Sequence, residues 1–223
     1  MSRSVRRVRA QFSTIQITMI SIVVALALQE LLDRLPTIDA LWQPSSIAVR
    51  LWCQVLVAFA IIVKMWVGFV LGAASTERVP RVSDLLGPMG ILVFVDAQIA
   101  SIDVEHALRW FYILGVGQLA AAAFIAGQQM AFGDARRDAA STGQRAALVD
   151  PATAEAWIGV CALVAALADQ TIEFGDWGLL VGCAFLLIIE VASAAGPIVG
   201  WRMLRRREEQ LRLDEADDYA QPS

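Results

Sequence analysis

The sequence predicts an all-α integral membrane protein, a six-transmembrane-helix bundle with both termini cytoplasmic. Three observations predict it. Of 223 residues, 57% are hydrophobic and only 18% charged, less polar surface than a soluble domain of this length needs. Charge is gathered into short clusters between long apolar runs. And every arginine except Arg34, Arg50 and Arg109 falls in alternate gaps between those runs.

A bilayer core requires about 20 apolar residues in a helix. Six segments qualify or come close: about 13–32, 48–73, 84–101, 107–130, 152–171 and 177–201. They make residues 1–203 a membrane domain and leave 204–223 as a charged cytoplasmic tail.

Span 1 follows Arg3, Arg6, Arg7 and Arg9. Its apolar run is interrupted by Ser13, Thr14, Gln16, Thr18 and Ser21. Thr14, Thr18 and Ser21 are four and then three residues apart, so they share one helical face. Such a face either lines a pore or hydrogen-bonds to a neighbouring helix. The arginine-rich start and Ala25-Leu26-Ala27 also admit a cleaved signal peptide. The run is polar for that role, and cleavage would leave five spans.

Span 2 opens on Arg50 and Trp52, carries Lys64, and ends on Gly68 and Gly72, spaced for close helix packing. Span 3 is short. Ser83-Asp84 can cap it, and Pro88 between Gly87 and Gly90 bends or breaks it. Span 4 opens on Arg109-Trp110, with Ala120 to Ala123 as a smooth surface. The polar stretch 131–150 follows. Asp150-Pro151 is an N-cap followed by proline at the first helical position, opening span 5, the weakest. Span 6 runs from Trp177 to Trp201 and carries Glu190, Pro197 and the small-residue pairs Gly178/Gly182 and Gly196/Gly200.

The flanks agree with this count. Arg78, Arg81, Arg136, Arg137, Arg145 and the arginines from Arg202 onward share a side with the N-terminus, which the positive-inside rule places in the cytoplasm. Trp42, Trp52, Trp110 and Trp177 fall near the outer boundary, and Trp157 and Trp201 near the inner one. The absence of asparagine and the single lysine, with abundant Ala, Val, Leu and Arg, suggest a GC-rich bacterial genome and a cytoplasmic (inner) membrane.

Ionisable groups within a bilayer cost about 2.5–3.5 kcal/mol each, so Lys64, Asp96 and Glu190 need an explanation. One reading is an ion pair, Lys64 with Glu190 or Asp96, holding helices in register. The other is an ion or proton pathway lined by Asp96 or Glu190. One lysine cannot neutralise two carboxylates, so one of them is protonated, hydrated or paired with Arg50 or Arg109.

Several functions are disfavoured. The basic clusters flank apolar spans and do not form a nucleic-acid surface. Cys53, Cys161 and Cys183 have no metal-type spacing, and His106 is the single histidine, so neither a metal site nor a cofactor is expected. No P-loop, GxSxG or HExxH appears, so the chain is not expected to be an enzyme. Gly115-Val116-Gly117 is not a TVGYG-type potassium filter.

The segment Arg9-Ala10-Gln11-Phe12-Ser13-Thr14, followed by an Ile- and Thr-rich span, resembles the bacterial and endolysosomal six-helix potassium channels. Their first helix carries a Phe-Ser-Asp signature after an arginine. Trp66 resembles their second-helix tryptophan. Thr14 stands where that signature has aspartate, and Val67 to Val70 where histidines are expected. The resemblance covers the first two spans. It implies an oligomeric cation channel with a pore lined by the first helix and a constriction at Ile22 or Leu26. The functional expectation is therefore a homo-oligomeric channel or small transporter for a monovalent cation. The alternative is a non-catalytic membrane subunit or scaffold packed against a partner membrane protein.

Overall fold

The computed structural model describes residues 3–75, 82–131, 151–172 and 175–193. All are helix, turn or loop, and six α-helices account for most of them: α1 (Arg3–Arg34), α2 (Ser46–Ser75), α3 (Val82–Ala100), α4 (Ala107–Ala131), α5 (Pro151–Ile172) and α6 (Gly175–Ser193). Two 3-10 turns, Leu35–Thr37 and Asp39–Trp42, join α1 to α2. Gly196, Gly200, Pro197, the stretch 132–150 and the tail 204–223 lie outside the described residues.

Among the described residues, four helices are long and apolar enough to cross a bilayer: Thr14–Thr37, Ser46–Val70, Ala107–Gly127 and Gly175–Ser193. They belong to α1, α2, α4 and α6. The apolar part of α3 is the shorter Gly87–Ala100, about 21 Å of helix. α5 carries Glu155 and Asp169 within its length. These are the two spans that the sequence marks as short and as weakest. α3 continues unbroken through Pro88, which is buried, so the proline does not interrupt the helix.

Each helix buries one stripe at helical spacing. On α1 it is Gln16, Ile20, Val23, Ala27 and Leu31, packed toward α2 and α3. α2 buries Leu51, Val55, Ala58 and Ile62. Val95 and Ile99 of α3, Trp110, Phe111 and Leu114 of α4, Ile158, Ala162 and Ala166 of α5, and Leu179, Cys183 and Leu186 of α6 complete one core. The opposite faces show Val93, Val116, Val164, Val181 and Ile188 to the outside. Apolar residues inside and out are what a bundle dissolved in lipid requires. Association there rests on close packing and polar contacts between helices, not on removal of apolar surface from water.

The closest packing is between α4 and α5, where Gly115 and Gly159 meet backbone to backbone. A Cβ on Gly159 would lie 2.9 Å from the Gly115 carbonyl oxygen, and one on Gly115 would lie 2.6 Å from the Leu163 side chain. On α4, Gly117 accepts the ring of Phe94 from α3 in the space a side chain would fill. A Cβ on Gly182 of α6 would stand 3.5 Å from Phe111. The glycines of Gly115-Val116-Gly117 therefore seat α4 between α3 and α5.

The end of the bundle bearing loops 35–45 and 101–106 is called here the hairpin end. Ser45 Oγ accepts the Ala48 N–H at 3.2 Å and caps α2 there. The Thr37 hydroxyl donates to the Arg34 carbonyl at 2.7 Å and closes α1. Trp52 Nε1 donates to the Leu41 carbonyl at 3.1 Å, and Trp42 packs edge-on against Trp52. Trp42 and Trp177 are exposed as interfacial anchors should be. Trp110 is not: it is fully buried against Phe111, because it is on the core-facing side of α4.

Candidate functional site: a buried charge cluster and an outward polar stripe

Lys64 reaches into the bundle from α2, two turns before the end of its apolar stretch. Its Nζ donates to Glu155 Oε2 on α5 at 3.0 Å, lies 2.9 Å from Oε1 of the same carboxylate, and donates to Glu190 Oε2 on α6. Glu190 Oε1 accepts from the Gln118 amide of α4. Four helices thus converge on one polar knot. Glu190 is fully buried, and Gln118, Glu155 and Lys64 are nearly so. Ser193 Oγ donates to the Glu190 backbone carbonyl at 2.9 Å and fixes the helix just beyond it.

The sequence pairing of Lys64 with Glu190 is the one seen. Asp96 is not part of it. It is exposed on α3, one turn before the end of that helix, and has no bonded partner among the described residues. The second carboxylate on Lys64 is Glu155, which the sequence reading overlooked. Its signal was available, as an acid in the second turn of an apolar span. Gln118 was overlooked too, although it is the only strongly polar residue in the middle of span 4.

A second ion pair ties the hairpin end. Arg50, 3% exposed, donates from one guanidinium nitrogen to Asp176 Oδ1 at 2.8 Å and from another to the Val104 carbonyl at 3.0 Å. Arg50 is therefore a buried clasp, not the interfacial anchor its sequence context suggests. Arg50 and Lys64 are 14 residues apart on α2, and so are Asp176 and Glu190 on α6. Both pairs have the same sequence separation, 126 residues. The two helices run in the same direction, with clasps about 21 Å apart fixing their register.

Asp176→Ala is expected to leave Arg50 buried with only the Val104 carbonyl. Because Asp176 is 44% exposed, water screens the pair, and the loss should be about 1 kcal/mol. It is read as a lowered unfolding midpoint in detergent, shrinking at high salt. Asp176→Asn should recover most of it.

Between the clasps the α2 stripe reads Arg50, Gln54, Val57, Ile61, Lys64, all on one face. Gln54 and Gln98 of α3 are completely buried, and their amide atoms have no protein partner among the described residues. Groups of this kind recruit ordered water.

The other candidate feature is on the outside. Thr14, Thr18 and Ser21 are all exposed, opposite the buried stripe of α1. The same line continues through Ala25 and Gln29 to Asp33, so small and polar residues run the whole apolar length of the helix. Ile22 and Leu26, 55% and 50% exposed, flank it. The Thr18 hydroxyl donates to the Thr14 carbonyl at 2.9 Å. Among the described residues no other helix covers Thr18 or Ser21.

At the hairpin end an open depression of about 390 Å³ is lined by Arg34, Asp39, Gln43, Asp103 and neighbours. Partial burial of Asp103 opposes ionisation. The N–H groups of Glu105 and Val104 and the His106 ring outweigh it and hold the carboxyl below the usual aspartate range.

The small-residue positions differ. Gly182 packs against α4 and α5, and Gly178 is half-buried. Among the described residues nothing stands within 4 Å of where a Cβ on Gly68 would lie. The surroundings of Gly72 are not among the described features, and Gly196 and Gly200 lie outside the described residues. Among the described residues no group of three or more metal-type ligands occurs.

No family model, curated protein or solved structure matches the chain. The fold and its apolar helices define the class: a polytopic, all-helical membrane protein in contact with the lipid bilayer.

Proposed function

We propose that the protein is a homo-oligomeric channel for monovalent cations, in which the α1 stripe of each protomer faces a shared path. The observation that supports it is that stripe: Thr18, Ser21, Gln29 and Asp33 on one side of an otherwise apolar, membrane-length helix, all exposed among the described residues. Polar groups facing lipid are costly, and copies of the same face around an axis would surround water instead. Ile22 and Leu26 beside the stripe form the apolar constriction. Glu30, Asp33, Asp39 and Asp103, with Asp96 exposed one turn inside α3, make the hairpin-end mouth attractive to cations.

In this reading all six helices cross the bilayer, α3 and α5 being held by their neighbours. The hairpin end faces outward, and both termini face the cytoplasm of a bacterial inner membrane. The likeness of the first two spans to the six-helix potassium channels points the same way. Gly68, open in the protomer, is available for packing between copies.

The test is flux from proteoliposomes together with cross-linking of Ser21→Cys. The expected result is potassium or sodium flux that rises in Leu26→Ala and falls in Thr18→Leu/Ser21→Leu, with a disulfide-linked dimer through position 21. A monomer in detergent and in lipid, without flux or cross-link, would overturn the reading and favour a scaffold subunit that covers the stripe with a partner helix.

A further inference from the structure

The polar knot inside the bundle carries more charge than it can balance. Lys64 contributes one positive charge, and Glu155 and Glu190 contribute two negative charges when ionised. Among the described residues no other titratable side chain bonds to them: α2 brings only Lys64, α5 only Glu155, α6 only Glu190, and α4 brings the neutral Gln118. A net charge buried at this depth is expensive.

A proton neutralises it better than a metal ion would. The Lys64 ammonium already sits between the two carboxylates, so a second metal-like charge would be repelled. A proton needs only one oxygen lone pair. Glu155 has both oxygens engaged by Lys64 at 2.9 and 3.0 Å. Glu190 gives Lys64 only Oε2 and turns Oε1 to the Gln118 amide.

We infer that the Lys64–Glu155–Glu190 cluster is a binding site for one exchangeable proton, held on Glu190 Oε1 and received by Gln118. In the deprotonated arrangement the Gln118 N–H donates to the Glu190 carboxylate, as seen here. On uptake, a proton from water adds to Oε1, the cluster passes from a net charge of −1 to zero, no covalent bond of the protein breaks, and the Gln118 N–H hydrogen bond to Oε1 is given up. The Gln118 amide turns over so that its carbonyl oxygen accepts the new O–H. Glu155 and Lys64, slightly less buried than Glu190, form the side by which the proton enters, in the second turn from the start of α5.

This inference goes beyond the channel reading and does not depend on it, because its readout requires no flux. Infrared difference spectra of the protein in lipid, between acid and alkaline pH, report protonated carboxyl groups directly. The expected result is one buried carboxylic-acid carbonyl band per protomer that exchanges with pH. The band should vanish in Glu190→Gln. It should vanish also in Glu155→Gln, where Lys64 alone balances Glu190. Gln118→Leu should shift it to higher frequency by removing the acceptor. Unfolding midpoints close to wild type confirm that the isosteric variants are folded. A band that persists in both glutamine variants, or a cluster that answers to sodium and not to pH, would overturn the inference.

Discussion

Replacing Lys64 with methionine is expected to destabilise the bundle more than any other single side-chain change. Among the described residues the lysine is the only cation against two carboxylates, one of them fully buried. Removing one partner of a buried pair strands the other, at a cost of about 3–5 kcal/mol. That is a large part of the stability of a small domain. The variant should express poorly and lose its cooperative transition in detergent. The triple variant Lys64→Met/Glu155→Gln/Glu190→Gln removes every charge together and should recover most of the loss, since neutral groups in the same places leave nothing uncompensated. A single variant as stable as wild type would show that water, not Lys64, solvates these acids.

The second large effect is expected at Gly159. Alanine there places a Cβ 2.9 Å from the Gly115 carbonyl oxygen and 3.1 Å from the Leu119 nitrogen. Both are backbone atoms of α4, so neither can swing aside, and the helices must separate. Overpacking of this kind costs about 1–3 kcal/mol, and valine should cost more than alanine. Separation would also pull Glu155 on α5 away from Lys64, so unfolding and the infrared signature should change together. Gly68→Ala is the contrast. Nothing stands within 4 Å of its Cβ position, and the protomer should be as stable as wild type. Comparing unfolding midpoints of the two variants checks the assignment. Equal losses would mean that the α4–α5 contact is looser than described.

The polar knot was half legible before the fold was known. Lys64 and Glu190 stood out because charge within apolar runs is rare, and charge alone allowed Lys64 to pair with either Glu190 or Asp96. Asp96 stood out for the same reason, yet it faces outward, because nothing in local sequence says which way a lone acid points. Glu155 was hidden by its nearness to a helix start, where acids are ordinary. The shared 14-residue spacing of Arg50 with Lys64 and of Asp176 with Glu190 was present in the chain. It acquires meaning only once α2 and α6 are known to run side by side. The same holds for glycine. Gly68 and Gly72 have the familiar spacing, whereas Gly115 and Gly159, on different helices, make the closest approach.

By itself, then, the sequence determined the membrane class, the helical secondary structure and the approximate bounds of the described helices. Those follow from hydrophobic length and from the need of every backbone group in lipid to bond within its own helix, which are properties of contiguous residues. Only the tertiary structure decided which face of each helix is covered. That choice put Arg50 and Trp110 in the interior, left the Thr14–Thr18–Ser21 line of α1 on the outside, and set Glu155 beside Lys64 in place of Asp96. In a bundle that is apolar on both its lipid and its core faces, hydrophobicity cannot tell inside from outside. Close packing at glycines and the pairing of buried charges make that distinction, and both depend on partners far away in the chain.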